Sequence, residues 1–167
     1  MVMLINIRFY TEVIDKMQLR PAVANDLKYL QKIANDVIDK NYRSFLGDEA
    51  VDYFIESGAS NNHMKENIGD TTVAIVKEEI VALCICKSNL VDLIMVKNEF
   101  HRQGVGTRFL SEICKQLFCH YTEIHLESFE KNVKANQFYK KNGWVIEKIV
   151  LDEEVNDNRV YYVKQKQ

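Results

Sequence analysis

Proline is almost missing. One stands among 167 residues, against 47% apolar residues, which excludes a Pro-rich or intrinsically disordered chain. Cysteine is sparse too: Cys84, Cys86, Cys114 and Cys119 are the four, and no His/Cys pair at zinc-ligand spacing accompanies them. A chain of this length buries roughly 70% of its unfolded surface and needs no covalent staples, so the thiols read as reduced, mostly core residues of a cytoplasmic protein, with no metal. Charge of one sign is lacking: 22 Lys and Arg against 24 Asp and Glu leave −2. That balance argues against a nucleic-acid partner, which needs a basic face, and gives no electrostatic reason to sit on a membrane. No apolar run reaches the ~20 residues that cross a bilayer. The start, MVMLINIRFY, has no basic lead or small-residue cleavage pattern and is not expected to be a secretory leader.

What is present is alternation of two periods. The strand-like run 4–9 lies in a segment, 1–16, that reads as an added strand or an N-terminal extension, and a single domain is expected over 17–167. From Asn25 the stripe Leu27, Leu30, Ile33, Ala34, Val37 and Ile38 predicts a helix, with Asn25 or Asp26 as its cap. A second helix is expected over Asp48–Ser57, stopped by Gly58, and then a polar, loop-like stretch over Ala59–Asp70 with room for a helical turn. Thr72–Lys77 and Ile80–Lys87 read as strands joined at Glu78-Glu79, with a third strand over Leu90–Val96. A helical stripe follows through Val105, Phe109, Leu110, Ile113, Cys114 and Leu117. Thr122–Ser128 alternates again, a short helix runs from Asn132 to Lys141 with Asn142-Gly143 at its end, and strands 144–150 and 159–164 flank an acidic turn. The order predicts one α/β domain with a mixed sheet.

Gly104 and Gly106 stand where a strand and loop enter a helix. Glycine lets backbone N–H groups approach an anion, and the helix start adds partial positive charge. Arg102, Arg108 and Lys97 could add charge beside a pyrophosphate. No GxxxxGK[ST] string exists. A dinucleotide fingerprint fails as well, because position 109 is Phe and seven residues separate Val96 from Gly104.

Three blocks then stand in order: Ile94-Met95-Val96; Phe100-His101-Arg102-Gln103-Gly104-Val105-Gly106-Thr107; and Asn132, Ala135, Phe138, Tyr139 with Asn142-Gly143-Trp144. In sequence and spacing they resemble the GNAT superfamily of acyl-CoA-dependent N-acyltransferases, over Met17 to Lys164. The resemblance implies a mixed, centrally splayed sheet flanked by helices on both faces. It implies an N-acetyltransferase moving an acetyl group from acetyl-CoA, as co-substrate, to a primary amine of a small molecule or peptide by direct attack in a ternary complex. Main-chain groups of Ile94, Met95 and Val96 would meet the pantetheine arm, and Arg102, Gln103, Gly104, Val105, Gly106 and Thr107 would wrap the pyrophosphate. Asn132 reads as a helix cap by pattern and, by resemblance, also as a pantetheine contact. His101 departs from the family, which usually has Arg or Gln there, and would make cofactor affinity fall as pH rises.

By the same resemblance Tyr139 is the acid at the leaving thiolate. Glu127, five residues before Asn132, is the base, with Asp92 and His125 as alternatives. A main-chain N–H near Met95 would hold the oxyanion. The acceptor side, built by the first two helices and the last strands, includes Tyr42, Arg43, Ser44, Phe45, Asp48, Glu49, Asp52, Tyr53 and Glu56; its amine stays unidentified. The alternative reading is a non-catalytic acyl-CoA-binding or regulatory module, in which Tyr139 is dispensable. Pairing of the final strands across a homodimer is left open, with no residue that signals it.

Overall fold

The computed structural model describes residues 16–153 and 156–167. The strand expected over 4–9 and the segment 1–16, apart from Lys16, lie outside the described residues, as do Glu154 and Val155 of the acidic turn.

One seven-stranded sheet has the order β1-β2-β3-β4-β5-β7-β6. β1 (Gln18–Pro21), β2 (Thr71–Val76), β3 (Glu79–Lys87) and β4 (Leu90–Val96) make an antiparallel half. β5 (Glu123–Phe129), β7 (Asp157–Gln165) and β6 (Val145–Asp152) make another. The halves meet where β4 and β5 run parallel. Helices α1 (Leu27–Leu46), α2 (Asp48–Glu56) and α3 (Ala59–Glu66) pack on one face, α4 (Val105–Leu117) and α5 (Val133–Lys141) on the other. Among the described residues no helix is long and apolar enough to cross a membrane.

Alternation divides the core between the faces. In β3, Ala82 and Cys84 join Val105, Phe109, Leu110 and Ile113 of α4, while Leu83 and Ile85 join Leu30, Ile33, Val37 and Ile38 of α1. Phe109 is fully buried, a contribution of about 1.5–3 kcal/mol from its ring. The four thiols are all free: Cys84 and Cys114 buried, Cys86 partly so, Cys119 exposed.

Three local expectations need correction. Asp26 does stand at the start of α1, but its carboxylate accepts from the Val23 N–H at 2.8 Å and from Arg20 at 2.6 and 2.9 Å, not from its own helix. The Arg20 guanidinium holds the Asp26 carboxyl below the usual carboxylate range, against the opposing effect of burial. The stretch 59–70 is not a loop: α3 and a 3-10 turn (Ile68–Asp70) occupy it. α3 buries only Ser60 and Met64, so it leaves almost no apolar stripe to read. The β2–β3 turn is centred on Lys77 and Glu78, both at positive φ (48° and 66°), one residue before the expected Glu78-Glu79.

The feature that makes a site is a bulge in β4. Leu93 pairs with Ile85 and Val91 with Cys86, which leaves Asp92 as an extra residue. A bulge bends its strand and raises its twist. β4 accordingly pairs with β5 only at Leu90↔His125 and Val91↔Leu126, whereas β5 stays paired with β7 along its whole length. Beyond Val91 the two parallel strands part.

Candidate active site

The gap between β4 and β5 has an open β4 edge. From Leu93 to Val96 that strand is paired to β3 and, on the other side, has no strand partner among the described residues. Side chains alternate here: Met95 is buried toward α1, while Ile94 and Val96 pack toward α4. Main-chain N–H and C=O groups along such an edge are available to an extended ligand.

At the end of β4 the chain turns into α4 through two left-handed residues, Arg102 (φ 58°) and Gly104 (φ 82°). Gly104 is the cap residue and supplies no side-chain cap, so the N–H groups of Val105, Gly106 and Thr107 have no partner within the helix. Three such donors and the helix dipole could hold an anion. Gly106 has a second role. A Cβ there would lie 3.5 Å from the Phe138 ring and 3.6 Å from Val96 Cγ2, at ordinary contact distance, so Gly106 brings the start of α4 close against α5 and the strand end.

The neighbouring cations divide. Lys97 pairs with Glu79, and Arg108 Nε with Glu112 at 3.1 Å, whereas Arg102 has no ion-pair partner among the described residues. Gln103 donates its amide to the Glu99 carbonyl. His101 turns away from the loop: its Nε2 lies 2.7 Å from the Val96 carbonyl, where it fixes the end of β4.

Tyr139 approaches from α5. Its ring lies 5.5 Å from that of Phe138 and 5.7 Å from that of Tyr162. Burial, and then the neighbouring Tyr42, Cys84 and Tyr162, push the phenol well above the usual tyrosine range, so it stays protonated. Its hydroxyl has no hydrogen-bond partner among the described residues. α5 is fixed at its start by Asn132, whose side chain accepts from the Ala135 N–H at 3.3 Å, the capping role expected of it. Asn136, which the sequence reading passed over, ties the helix down. It donates to the carbonyls of Phe129 (2.8 Å) and Glu130 (3.0 Å) and accepts from the Tyr162 hydroxyl (2.9 Å). A polar residue on the inner side of an otherwise packed helix was the available signal.

The α1 face of the gap is aromatic. Tyr42 and Phe45 of the last α1 turns lie ring to ring at 5.1 Å, and Phe45 meets Phe129, at the end of β5, at 5.7 Å. α1 and α5 lie on opposite faces, so the gap brings Tyr42 near Tyr139; burial raises the Tyr42 phenol too. Arg159 lies over the Phe129 ring at 4.3 Å and binds Glu127 at 3.1 Å and Asp152 at 2.8 Å. Glu127 is exposed on this face, across the sheet from Tyr139. His125 is held by Glu123 at 3.0 Å, and Asp92 by His63 at 3.2 Å and Lys87 at 3.5 Å. Arg43 gathers Asp39 and Asp52 at 2.6 Å and Asp48 at 3.3 Å below the Tyr42–Phe45 pair. The structure therefore brings Val96, Gly104–Thr107, Phe138 and Tyr139 together, with Glu127 on the far side of the gap.

Comparison with known proteins bears on this arrangement. The family model described as an acetyltransferase (GNAT) domain matches residues 67–146, which contain β4, the glycine turn and Tyr139. No curated protein matches the chain. Among solved structures, a GCN5-related N-acetyltransferase from Rhodopseudomonas palustris has a TM-score of 0.76 at 15% identity, covering 89% of this chain and 95% of that one. The PaiA N-acetyltransferase of Thermoplasma acidophilum, solved with coenzyme A, has a TM-score of 0.74 at 18% identity, over 90% and 99%. An acetyl transferase of Salmonella typhimurium that modifies the N-terminal serine of a 50S ribosomal subunit protein has a TM-score of 0.70 at 12% identity, over 91% and 96%. The expected mixed, splayed sheet with helices on both faces is the fold these proteins share.

Proposed function

The chain carries an acetyltransferase domain of the GNAT superfamily, and from that premise we propose that it moves an acetyl group from acetyl-CoA to a primary amine of a small molecule or a peptide. The transfer is direct, in a ternary complex, and the domain responsible is 17–167. One observation carries the reading: unpaired α4 amides, the free edge of β4 and the Tyr139 hydroxyl all border one gap.

The residues present fit coenzyme A. The amides of Val105, Gly106 and Thr107 would hold the diphosphate, with Arg102, which has no ion-pair partner among the described residues, beside them and Gln103 and Gly104 shaping the turn. Gly106 lies beside Val96 at the end of the β4 edge, where main-chain groups of Ile94, Met95 and Val96 would meet the pantetheine arm. Asn132 stands at the α5 start, flanking the same arm. Bound there, acetyl-CoA supplies an activated thioester.

The remaining chemistry falls to the chain. The donor we assign to the developing oxyanion is a main-chain N–H near Met95, that of Ile94 or Val96: the Lys97 N–H donates to the Val81 carbonyl, a register that turns the Met95 amide to β3 and its two neighbours to the gap. A thiol has a reference pKa of ~8.5, below the ~10 of a tyrosine phenol, and burial raises Tyr139 further. Tyr139 therefore acts by donating a hydrogen bond from a neutral phenol to the leaving sulfur. The amine must arrive uncharged; Glu127, oriented by Arg159, is the carboxylate we assign to its proton, through water where needed. Tyr42, Phe45 and Phe129 form the wall against which the acceptor lies on the α1 face. Holding both reactants in one gap replaces a bimolecular encounter by a local one. Four free thiols suit a reducing compartment, and we place the enzyme in the cytoplasm.

The test is a panel of amines with acetyl-CoA, read by thiol release. Release that needs an amine and is lost in Tyr139→Phe supports the reading. Release independent of every amine, or unaffected by that substitution, overturns it.

A further inference from the structure

Strand β6 closes the sheet, and its outer edge has no partner among the described residues. It is also apolar: Val145, Ile149, Val150 and Leu151 are between 46% and 64% exposed. Edge strands are usually blunted by charge, proline or a covering element, because a free apolar edge is a template for another strand. β6 has a bulge, which shifts its register between Ile146 and Lys148, but that leaves 148–152 as a regular run.

We propose that β6 pairs antiparallel with β6 of a second copy about a two-fold axis at Val150, joining the two sheets. The chemistry of the run selects the register. A two-fold axis perpendicular to the sheet keeps each face continuous, so every residue meets one from its own face. Pairing to β7 puts Lys148, Val150 and Asp152 on one face, opposite Tyr161, Arg159 and Asp157, and Ile149 and Leu151 on the other. With the axis at Val150, Lys148 faces the partner's Asp152 twice, Ile149 faces the partner's Leu151 twice, and Val150 meets its own copy. Moving the axis to Lys148 or to Asp152 stacks like charges. Moving it to Ile149 puts Lys148 against valine, and moving it to Leu151 puts Asp152 against valine. Only one register pairs charge with opposite charge and apolar with apolar. Asp152 already accepts from Arg159 at 2.8 Å, and Lys148 lies 4.7 Å above the Tyr161 ring, so both side chains are held on the face where the pairing needs them.

The experiment is sedimentation of the full chain across a wide concentration range, with charge variants and cysteine probes. The wild type is expected to sediment as two chains. Lys148→Asp alone and Asp152→Lys alone each create two like-charged pairs and weaken association on the order of tenfold or more. An equimolar mixture of the two variants restores both opposite-charge pairs and re-forms the dimer. In a Cys119→Ser background, Val150→Cys is expected to cross-link under oxidant, since facing residues at the axis are within disulfide reach. Val145→Cys, outside the paired run, is not. These substitutions lie on the exposed edge, and circular dichroism checks that the variants fold. A monomer at every concentration overturns the proposal, and so does protection of the β6 edge amides from exchange in that monomer, which assigns the edge to a segment of the same chain. A dimer indifferent to both charge variants, or cross-linked only through Val145→Cys, overturns it equally. Acetyl transfer is read separately, so loss of the dimer and loss of activity remain distinct results.

Discussion

Replacing Tyr139 by phenylalanine separates the two roles a buried tyrosine can have. The ring packs on Phe138 and Tyr162 and would keep those contacts. The hydroxyl is different: it has no hydrogen-bond partner among the described residues, so its removal breaks no hydrogen bond with them. Sheltering an unpaired hydroxyl costs roughly 1–3 kcal/mol when complete. Tyr139 keeps part of its surface exposed, so about 1 kcal/mol is the share to expect. For a chain of this size that is a rise in Tm of about 2–4 °C. Activity should move the other way. Loss of a positioned hydrogen-bond donor costs about 10²-fold in kcat, with KM for acetyl-CoA changed less than about twofold, because the diphosphate grip lies elsewhere. Differential scanning calorimetry and steady-state kinetics on the same preparation read both. A variant that is less stable would show that the hydroxyl has a structural partner. An unchanged kcat would refute its place at the leaving sulfur.

Gly106→Ala adds a methyl in contact with Phe138 and Val96, beside the amides assigned to the diphosphate; α4 gains up to about 1 kcal/mol of helix propensity, while acetyl-CoA KM rises on the order of tenfold, measured by calorimetry and kinetics. Asn136→Ala strips three hydrogen bonds that join α5 to β5 and β7, so denaturant unfolding should show a loss of about 2–4 kcal/mol, with kcat falling as Tyr139 loses its support. For Asp26 the folded pKa is depressed, chiefly by the Arg20 hydrogen bond, so its stabilisation is present above the unfolded value of ~3.9 and disappears as pH falls through the lower folded value. Arg20 is 39% exposed, which limits the effect to less than about 1 kcal/mol; in Asp26→Asn the acid-side drop in Tm should shrink by that share. Glu127→Gln should lower kcat by about 10²-fold with little change in KM for acetyl-CoA, read by steady-state kinetics, and an unaltered kcat removes Glu127 from the proton path.

Much of this was legible in the residues for identifiable reasons. The stripe Leu30, Ile33, Ala34, Val37, Ile38 became the buried face of α1, and Val105, Phe109, Leu110, Ile113, Cys114 that of α4, because burial on one face imposes the 3.6-residue period. Gly104 was readable because the turn into α4 takes a positive φ that glycine adopts freely. α3 was not, since Met64 is its one buried large apolar residue. The bulge at Asp92 was invisible because it depends on how β4 pairs with β3, which is not a property of either strand alone. Partners were the other gap. Nothing local announces that Asp26 bonds to Arg20, that His101 turns to Val96, or that Arg159, thirty-two positions away in the chain, binds Glu127. Each of those contacts is made by folding.

The central claim is that a single gap holds the diphosphate at the start of α4 and the sulfur at Tyr139. The most direct measurement is the crystal structure of the complex with coenzyme A. The account predicts the diphosphate within hydrogen-bond distance of the Val105, Gly106 and Thr107 amides, and the sulfur within reach of the Tyr139 hydroxyl. A ligand bound elsewhere, or a sulfur directed away from that phenol, would contradict it.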